Sequence, residues 1–594
     1  MSPSAPSLGT YAITGIQAGV GPEAGRTPIR QEIDTWAYDE ANAIQVDLFI
    51  QALIIFQATE PEEKLSWFRI AAIHGIAPNP WDEETKTQND GANNGYCTHN
   101  TNLFVTWHRP YVILFEQILY NIMRTDIIPQ YPQDVQKELI KHADTWRVPF
   151  WDWAAKRPDP ENPKATPSYD VPKFVRLKRI SISVPTGGTT EVDNPLNAFT
   201  TEEEMGRLYP DMADAIDYIE CYATSRAPQN KAEILALTGA QNNDLVKEAL
   251  NRPLINEDYL GEAVYRLLSQ GYHKTYDEFA TTASPTNTEK GQYLSVESLH
   301  NNIHNYCGGS GSGGVRGHMG SEEVAAFDPI FWLHHGNVDR LLAIWQTLYS
   351  ETWFDPLYRA DVSLAPFHTN SEGTYYTSNK CREWTQYGYT YPELQRWKFV
   401  DDGKVDEEAY KDDIRTRLNE LYRPGYINRY RLGELDDYVV NVKYERFALE
   451  GEAFTVQIYI DQNEVGQVYN FSSPLRAIGG PVPCENCQEQ QNNHAVATGE
   501  VPITAALLHI HKNPGQYSSG NLASLRTQDV KPYLRKSLNW KVIKENGEEV
   551  ALSDIPSLRV TVSVGKAVHP PSGTFDGETG RPRFSVYSDY EVLN

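Results

Sequence analysis

Six histidines lie in apolar, aromatic stretches of the chain, in two groups that are far apart in sequence. The first group lies between residues 74 and 108, and the second lies between residues 300 and 335. Burying this many imidazoles without partners would be costly, because each ring would lose its hydrogen bonds to water. Neutral imidazole is a common metal ligand, so the two groups together predict a metal centre inside the fold.

The first group is spread over two predicted helices and a loop. His74 ends a predicted helix over residues 61–75, which opens with proline and two acids and stops at Gly75. His99 closes the loop run "NGYCTHN", in which Cys97 precedes it by two residues. His108 follows in a predicted helix over residues 103–124, which we expect Pro110 to interrupt.

The second group lies on two predicted helices, over residues 293–306 and 328–349. His300 and His304 are four residues apart, so they share one helix face. His335 follows on the next helix, directly after His334. A ligand set of histidines without carboxylates suits copper, zinc, iron or nickel better than magnesium or calcium. Three ligands per ion leave a coordination position open, and residue types alone leave the metal undecided.

Hydrophobic periodicity divides the chain into a helical part and a β part. Besides the segments above, residues 39–57 show helical spacing. Residues 401–422 form a charged, helical connector. The period then becomes two, which predicts an antiparallel β-sandwich, in these segments: 438–447, 453–460, 537–542, 558–568 and 583–592. We therefore predict a mainly α domain over residues 1–395, a linker over 396–435 and a β domain over 436–594.

Composition limits the classes of partner. The 594 residues exceed what one hydrophobic core usually serves. The formal net charge of −26 argues against nucleic-acid and anionic-membrane binding, because both need a basic face. No apolar run approaches the length of a membrane span, and the first residues lack the pattern of a secretory signal. These features predict a cytoplasmic protein that acts on small molecules.

The histidine motifs carry a resemblance to a known family. His74, the "CTH" run with His99 and the "WHRPY" run with His108 resemble the first copper motif of the type-3 copper proteins. The runs "HNNIHNY" and "DPIFWLHHGNVDR" resemble the second. The Cys-x-His form of the first motif is similar to that of fungal tyrosinases, in which the cysteine sulfur is joined to the imidazole ring by a thioether. The resemblance covers nearly the whole chain.

The resemblance implies a dinuclear copper centre in a four-helix bundle, with O2 as co-substrate. One copper would be held by His74, His99 and His108, and the other by His300, His304 and His335. A thioether between Cys97 and His99 would fix a ligand that lies in a loop. His334 would lie behind the ligands, and Asp339, one turn after His335, would orient that ring. Arg109 and Glu116 are interpreted as structural.

The implied activity is that of a tyrosinase. Monophenols would be hydroxylated in the ortho position and o-diphenols oxidised to o-quinones, which are precursors of melanin-type pigments. Glu297 and Asn301 flank His300 and would hold a water that accepts the phenol proton. Phe331, four residues before His335, resembles an aromatic gate on which the phenol would stack. Because Glu297 and Asn301 are both present, a tyrosinase is favoured over a catechol oxidase.

The resemblance also implies a latent precursor. The β domain would cover the copper site until an activating protease cuts the linker, and Tyr469 and Phe471 are candidates for the blocking side chain. Arg30 would meet the tyrosine motif "YGYTYPEL" at residues 387–394, which closes the catalytic domain. A homo-oligomer is compatible with the sequence.

Cysteine and histidine pairs in the β domain suggest a second, weaker metal contact. Cys484 and Cys487 form a CxxC pair, which we interpret as a transient copper(I) pick-up site for loading the centre. His509 and His511 alternate on a predicted strand, where both rings would lie on one face.

Two other function classes share parts of the pattern. A hemocyanin-like oxygen carrier would use the same copper ligands, although carriers occur as repeated units or secreted multimers. A dizinc hydrolase is disfavoured because none of the six candidate ligands is a carboxylate. Assays on a monophenol before and after proteolysis separate these classes from a latent tyrosinase.

Overall fold

The structure is a computed structural model that describes residues 10–21, 26–75, 80–82, 96–158, 164–208, 218–269, 271–273, 275–284, 293–309, 314–355, 360–430, 434–473, 485–518, 520–569, 583–584 and 588–590. The α-helices are α1 (Ile33–Ala37), α2 (Ala43–Gln57), α3 (Trp67–Gly75), α4 (Phe104–Ile122), α5 (Gln133–Thr145), α6 (Lys173–Arg176), α7 (Met205–Leu208), α8 (Lys231–Ile234), α9 (Asn243–Leu250), α10 (Tyr259–Leu267), α11 (Tyr276–Ala280), α12 (Val296–Gly308), α13 (Ile330–Leu348), α14 (Ser378–Cys381), α15 (Glu407–Tyr422), α16 (Gly425–Tyr430), α17 (Glu485–Asn492), α18 (Thr504–Lys512) and α19 (Thr527–Ser537).

The strands are β1 (Arg179–Ser183), β2 (Thr189–Asp193), β3 (Ser363–His368), β4 (Tyr375–Thr377), β5 (Val400–Asp401), β6 (Lys404–Val405), β7 (Glu434–Glu445), β8 (Phe454–Ile460), β9 (Asn463–Asn470), β10 (Val496–Pro502), β11 (Leu538–Lys544), β12 (Glu549–Val550), β13 (Arg559–Val568), β14 (Arg583–Phe584) and β15 (Ser588–Tyr590). None of the helices within the described ranges combines the length and the apolar character that crossing a membrane requires.

The predicted helical domain is confirmed, and helices α2, α4, α12 and α13 form its bundle. Aromatic rings fill the space between the helices, and Phe115 of α4 stacks on Trp332 of α13 with ring centroids 4.1 Å apart. The expected interruption of α4 at Pro110 is wrong, because the helix is continuous through that residue. A proline removes one backbone hydrogen bond, and packing on nearly every side of this buried helix offsets the loss.

Helix α3 begins later than the sequence pattern predicted. Residues 61–66 form turns, and the helix starts at Trp67. The Ser66 side chain accepts a hydrogen bond from the backbone N–H of Arg69 at 3.1 Å, which is the geometry of a helix N-cap. A local serine cap therefore sets this boundary in place of the preceding Pro61.

The beginning of the chain joins the end of the helical domain through a buried ion network, as predicted. The Arg30 guanidinium lies 3.6 Å from the ring centroid of Tyr389 and donates to Glu116 at 2.9 Å. Asp339 accepts hydrogen bonds from Arg30, Arg109 and two tyrosine hydroxyls. The predicted role of Asp339 in orienting His335 is therefore wrong, because this carboxylate neutralises the two buried arginines instead.

The connector after residue 395 is helical, as the sequence predicted, and it packs on the helical domain. The apolar face of α15 is buried through Tyr410, Ile414, Leu418 and Tyr422. The Tyr422 hydroxyl donates to Asp152 at 2.6 Å, inside the domain. The predicted linker is thus largely an ordered element that packs against the helical domain.

The C-terminal domain contains two antiparallel sheets, which confirms the predicted fold class. One sheet has the strand order β10-β7-β13-β14, with β15 also paired to β13. The other has the order β12-β11-β8-β9. The sheets approach closely at Gly466, where a Cβ would come within 2.5 Å of the Val501 side chain. The predicted strand at His509 and His511 is wrong, because both residues lie on helix α18.

Strand β9 brings the C-terminal domain against the helix that carries His300 and His304. The Asn302 amide of α12 donates to the Gln467 carbonyl at 3.1 Å. Its oxygen accepts from the backbone N–H of Tyr469, also at 3.1 Å. The buried Asn302 side chain thus holds β9 in register on α12, and Phe471 follows directly after that strand.

Candidate metal centre

His74 lies in the last turn of α3, where the backbone at Glu322 approaches the helix very closely. Its Nδ1 lies 2.9 Å from the backbone carbonyl of Glu322. The following residue is Gly75, at which a Cβ would come within 2.4 Å of the same carbonyl oxygen. Only glycine leaves room for this approach, so the glycine that ends the helix also places the Glu322 segment against His74.

His99 is held from both sides in the segment between α3 and α4. Its Nδ1 lies 2.9 Å from Oε1 of Glu322, and Cys97 Sγ donates to the same oxygen at 3.1 Å. The next residue, Asn100, has a left-handed φ of 55° and donates its backbone N–H to Glu297. An asparagine tolerates this conformation, which turns the chain into α4.

His108 of α4 completes the first cluster. Its Nδ1 bonds the Phe104 carbonyl of the preceding helical turn at 2.7 Å, which fixes the ring against its own helix. The candidate ligand atoms of His74, His99 and His108 lie within 4.8 Å of one another, and all three side chains are buried. The structure thus brings together the first predicted group.

The second cluster is built in the same way. Nδ1 of His300 lies 2.9 Å from the Asn301 side-chain oxygen, and Nδ1 of His304 lies 2.7 Å from the Met319 carbonyl. The Nε2 atoms of His300 and His304 are 2.9 Å apart. His335 joins them from α13, and His334 belongs to the same cluster.

The two clusters face each other across one small space. The His108 and His335 rings stack with centroids 4.3 Å apart, and those of His99 and His300 are 5.5 Å apart. Five of the six rings have Nδ1 bonded to a defined oxygen, so Nε2 is the atom left to point inward. The arrangement is that of two adjacent metal sites.

Burial keeps these imidazoles uncharged. It lowers the pKa of His74 to about 3, and it lowers the pKa values of His108, His300, His304 and His335 well below that of a free imidazole. Repulsion between neighbouring rings lowers these pKa values further. A neutral imidazole has a free lone pair, which is the form that binds a metal ion.

The donor set fits a pair of copper ions. Nε2 of His74 and of His108, and both nitrogens of His335, are buried without a hydrogen-bond partner in the described part of the chain. Leaving such atoms unsatisfied would cost free energy, and metal coordination removes that cost. Six imidazole nitrogens, three for each ion, suit copper as well as zinc, iron or nickel.

Glu322 is a residue of the site that sequence reasoning did not identify. Burial alone would raise its pKa, but the neighbouring His99 ring and the Arg446 guanidinium lower the pKa to about 2. The residue lies in no recognisable motif, six positions before Asp328. Its closeness to Cys97 and His99 arises only in the fold, so no sequence signal could have found it.

Glu297 and Asn301 lie on α12, but the structure gives them different partners. Asn301 bonds the His300 ring, as described above. The Glu297 carboxylate accepts from the backbone of Asn100 and from Thr281 and Thr282, including the Thr282 backbone N–H at 2.7 Å. Glu297 therefore ties the His99 segment to the loop that precedes α12.

Two phenylalanines, one from each domain, contact the two facing histidine clusters, which together form the histidine cage. The ring centroid of Phe331, on α13, lies 4.1 Å from that of His335 and 5.0 Å from that of His74, and Phe331 also packs on Trp332. Phe471 of the C-terminal domain stacks on His304, with centroids 4.3 Å apart and an angle of 19°. Phe331 thus supports the cage from the helical core, and its contact with substrate stays a prediction.

The other sequence candidates lie away from the cage or outside the description. The Tyr469 hydroxyl donates to the Gly320 carbonyl at 2.8 Å, so this side chain anchors β9 and leaves Phe471 as the ring in the cage. Cys484 lies outside the described residues, as does the side chain of Cys487. The predicted copper(I) pick-up site therefore stays a prediction.

Comparisons with known proteins give matches over most of the chain. A family model described as the common central domain of tyrosinase matches residues 64–348, and one described as the tyrosinase C-terminal domain matches residues 437–562. A tyrosinase of Aspergillus fumigatus is 32% identical over 97% of this chain and 98% of its own length. Polyphenol oxidase 2 of Agaricus bisporus is 25% identical over 89% of this chain and 90% of its own length.

Solved structures agree over nearly the full length. The melB holo-protyrosinase of Aspergillus oryzae matches with a TM-score of 0.75 and 27% identity, covering 97% of both chains. The melB apo-protyrosinase from the same organism matches with a TM-score of 0.75 and 28% identity, covering 98% of both chains. The likeness includes both the helical and the β domain.

Proposed function

The chain belongs to the tyrosinase family of copper enzymes, and on this premise we propose that it is a latent tyrosinase acting on phenols. It hydroxylates monophenols in the ortho position and oxidises o-diphenols to o-quinones, the type of product that feeds melanin-like pigments. The observation that carries the proposal is the pair of facing, buried histidine clusters, whose candidate ligand atoms lie close enough together to hold two metal ions.

His74, His99 and His108 would hold one copper, and His300, His304 and His335 would hold the other. The bound copper pair supplies the activation of O2, which no amino-acid side chain performs. The protein contributes fixed ligand directions, because each ring that bonds an oxygen through Nδ1 cannot rotate. It also excludes water, since the ligand side chains are almost completely buried.

Phe471 occupies the position that a phenol ring would need. We infer that a substrate at the second cluster stacks against His304, and the Phe471 ring already lies nearly parallel to that imidazole at 4.3 Å. The same ring contacts His99 and His300 at 5.2 and 5.9 Å. We infer that Phe471 makes the uncleaved chain latent by filling the substrate position with an apolar ring of similar shape.

Proton removal from a monophenol is assigned to the Glu297 and Asn301 side of the cage. In the shielded protein, three donors from Thr281 and Thr282 occupy Oε2 of Glu297. The same loop is bridged to the C-terminal domain, where Thr498 donates its backbone N–H to the Thr282 carbonyl at 2.9 Å. Loss of that domain would release the loop and let Oε2 accept a proton through a bound water.

The proposal is tested by loading the purified full-length chain with copper and then cutting it within residues 396–435. Oxygen uptake is measured on a monophenol and on an o-diphenol, before and after cleavage. We expect both activities to be low in the intact chain and to rise together after cleavage. A catechol oxidase would gain only the diphenol activity, and an oxygen carrier would gain neither.

Asn301→Leu is expected to lower monophenol turnover about 10 to 100-fold, which is the usual effect of removing a residue that hydrogen-bonds a metal ligand. Diphenol turnover should fall only a few-fold. The reason is that Asn301 holds the His300 ring through Nδ1 and provides the polar group beside the substrate, and only a monophenol has to lose its proton before hydroxylation. The ratio of the two kcat values in the cleaved enzyme measures the effect. Equal losses on both substrates would refute this role.

A thioether between Cys97 and His99 is expected to form when the chain is loaded with copper in air. The candidate ligand atoms of Cys97, His99 and Glu322 lie within 4.8 Å of one another, so no large movement is needed. Mass spectrometry of the proteolytic peptide around residues 97–99 should find it lighter by two hydrogen atoms than the peptide from metal-free protein. Cys97→Ser is the matched control, and an unchanged mass in the loaded wild-type chain would contradict the bond.

The activating protease, the exact cleavage site and a homo-oligomer stay predictions. Within the predicted linker, the hairpin of β5 and β6 is exposed at Asp402 and Gly403, whereas α15 is held by its buried face. We therefore favour a cut in or beside this hairpin.

A further inference from the structure

Glu322 contacts two candidate ligands through two different groups. Its backbone carbonyl accepts from Nδ1 of His74, and its carboxylate binds Nδ1 of His99, each at 2.9 Å. The same carboxylate oxygen accepts from Cys97 Sγ at 3.1 Å. The residue is almost completely buried, so these contacts lie away from bulk water.

A ligand that is bonded through Nδ1 can only present Nε2 to a metal ion. A carboxylate partner fixes this tautomer more firmly than a neutral oxygen does, and it strengthens the ring as a donor. Both contacts depend on the close approach at Gly75, because a larger residue there would push the Glu322 backbone away from His74. Two of the three ligands of the first cluster thus take their direction from one residue.

The C-terminal domain reaches this residue through a buried arginine. Arg446 donates to Oε2 of Glu322 at 3.3 Å and to the His99 carbonyl at 3.2 Å. A third hydrogen bond runs from Arg446 to the Phe471 carbonyl at 3.0 Å. Gln490 of α17 also donates to the His99 carbonyl, at 2.8 Å. The C-terminal domain therefore holds the His99 segment directly, apart from inserting Phe471.

We propose that Glu322 is a positioning residue for the first metal site, and that Arg446 makes its placement depend on the C-terminal domain. The shielding domain then has two tasks: Phe471 excludes substrate, and Arg446 keeps the first three histidines assembled while the metal is bound. This inference rests on the proposed function, because it assumes that both histidine clusters hold copper. It concerns how tightly the first site retains its metal ion, which is independent of turnover.

The charges favour this assignment over a purely structural one. A buried carboxylate needs a cation, and the structure places Arg446 beside Glu322. An ion pair that only held the two domains together could lie anywhere on the interface between them. The interface also contains a shorter ion pair, in which Arg266 of α10 binds Asp437 of β7 at 2.7 Å. The Arg446 pair instead lies on the outer side of two ligand rings.

The test is metal retention by the uncleaved holoprotein during dialysis against a copper chelator, followed by elemental analysis. We expect Glu322→Ala to release one copper per chain about 10 to 100-fold more readily than wild type, with the second copper retained as before. Glu322→Gln keeps an acceptor for His99 but loses the charge, so its copper release should lie between those of wild type and Glu322→Ala. A purely structural role would weaken both sites together.

Glu393→Ala is the matched control. Glu393 is also a buried carboxylate paired to an arginine, Arg340, at 2.6 Å, and the other hydrogen bonds of Arg340 go to Asp152, Asn337 and Tyr422, none of which is a candidate ligand. The control variant should lower the melting temperature without changing the order in which the two coppers are lost. If Glu322→Ala and Glu393→Ala give the same metal-release profile, the positioning role is refuted. A wild-type chain that holds no copper would instead refute the proposed function.

The dependence on the C-terminal domain is tested with Arg446→Met, which keeps length and removes the donors. In the uncleaved chain this variant should release the first copper several-fold faster than wild type, and Arg446→Lys should restore part of the difference. After cleavage and removal of the C-terminal domain, wild type and Arg446→Met become the same molecule at this site, and both should show the faster release. A wild-type release rate that is unchanged by removal of the domain would overturn the coupling.

Discussion

His335→Ala is expected to slow the oxidation of both monophenols and o-diphenols by at least about 10⁴-fold in the cleaved, copper-loaded enzyme. His335 stacks on His108 across the two clusters, so its loss removes a donor from the second site and a contact that aligns the two sites. Elemental analysis should find about one copper per chain in place of two. A variant that keeps two coppers and measurable turnover would contradict the assignment of His335 as a ligand.

Two control variants separate ligand loss from the loss of a buried ring. His334→Ala removes the neighbouring ring, which stacks on His300 at 5.0 Å and which the resemblance places behind the ligands. It should lower stability and turnover but retain two coppers. His318→Ala removes a buried histidine that belongs to neither cluster and whose Nδ1 accepts from the backbone N–H of Ser225, and it should also retain two coppers. If His334→Ala loses copper and His335→Ala does not, then His334 is the ligand and His335 is the ring behind the ligands.

The clustering of the candidate ligand residues could be predicted from sequence because much of their signal is local. An i,i+4 pair shares a helix face wherever the helix lies, so His300 and His304 had to come together. His74 and His108 follow for a similar reason, since each lies at a fixed place on a strongly apolar helix. The alternation of β7, β8 and β13 likewise predicted strands, because it needs only neighbouring residues.

The residues around the ligands could not be predicted, because tertiary contacts decide their partners. Asp339 lies one turn from His335, yet two buried arginines outcompete the ring for its carboxylate. Glu322 lies 223 positions from His99 in sequence, and only the approach at Gly75 brings the two together. The alternation at His509 and His511 suggested a strand, but the apolar run before it forms the buried face of α18.

Phe471→Ala is expected to raise the activity of the uncleaved chain about 100-fold, toward that of the cleaved enzyme. In the proposed latent form, substrate has to displace the Phe471 ring, which is 2% exposed and stacked on His304. Burying a phenylalanine side chain contributes about 3 kcal/mol or more, and a barrier of that size corresponds to roughly a 100-fold loss of rate. Steady-state rates of o-diphenol oxidation, measured on intact protein that is checked by mass, give the effect.

The comparison that decides this prediction is between two buried phenylalanines of the same domain. Phe454 lies in β8 and packs on Tyr444, with ring centroids 5.2 Å apart, inside the C-terminal domain. Phe454→Ala should destabilise that domain by a similar amount but leave the Phe471 ring in place, so the intact chain should stay latent at temperatures well below unfolding. After cleavage, wild type and Phe471→Ala should have equal rates, because the blocking ring is gone from both. If Phe454→Ala unmasks activity as strongly as Phe471→Ala, latency reflects the overall stability of the shielding domain and the blocking role of the single ring fails.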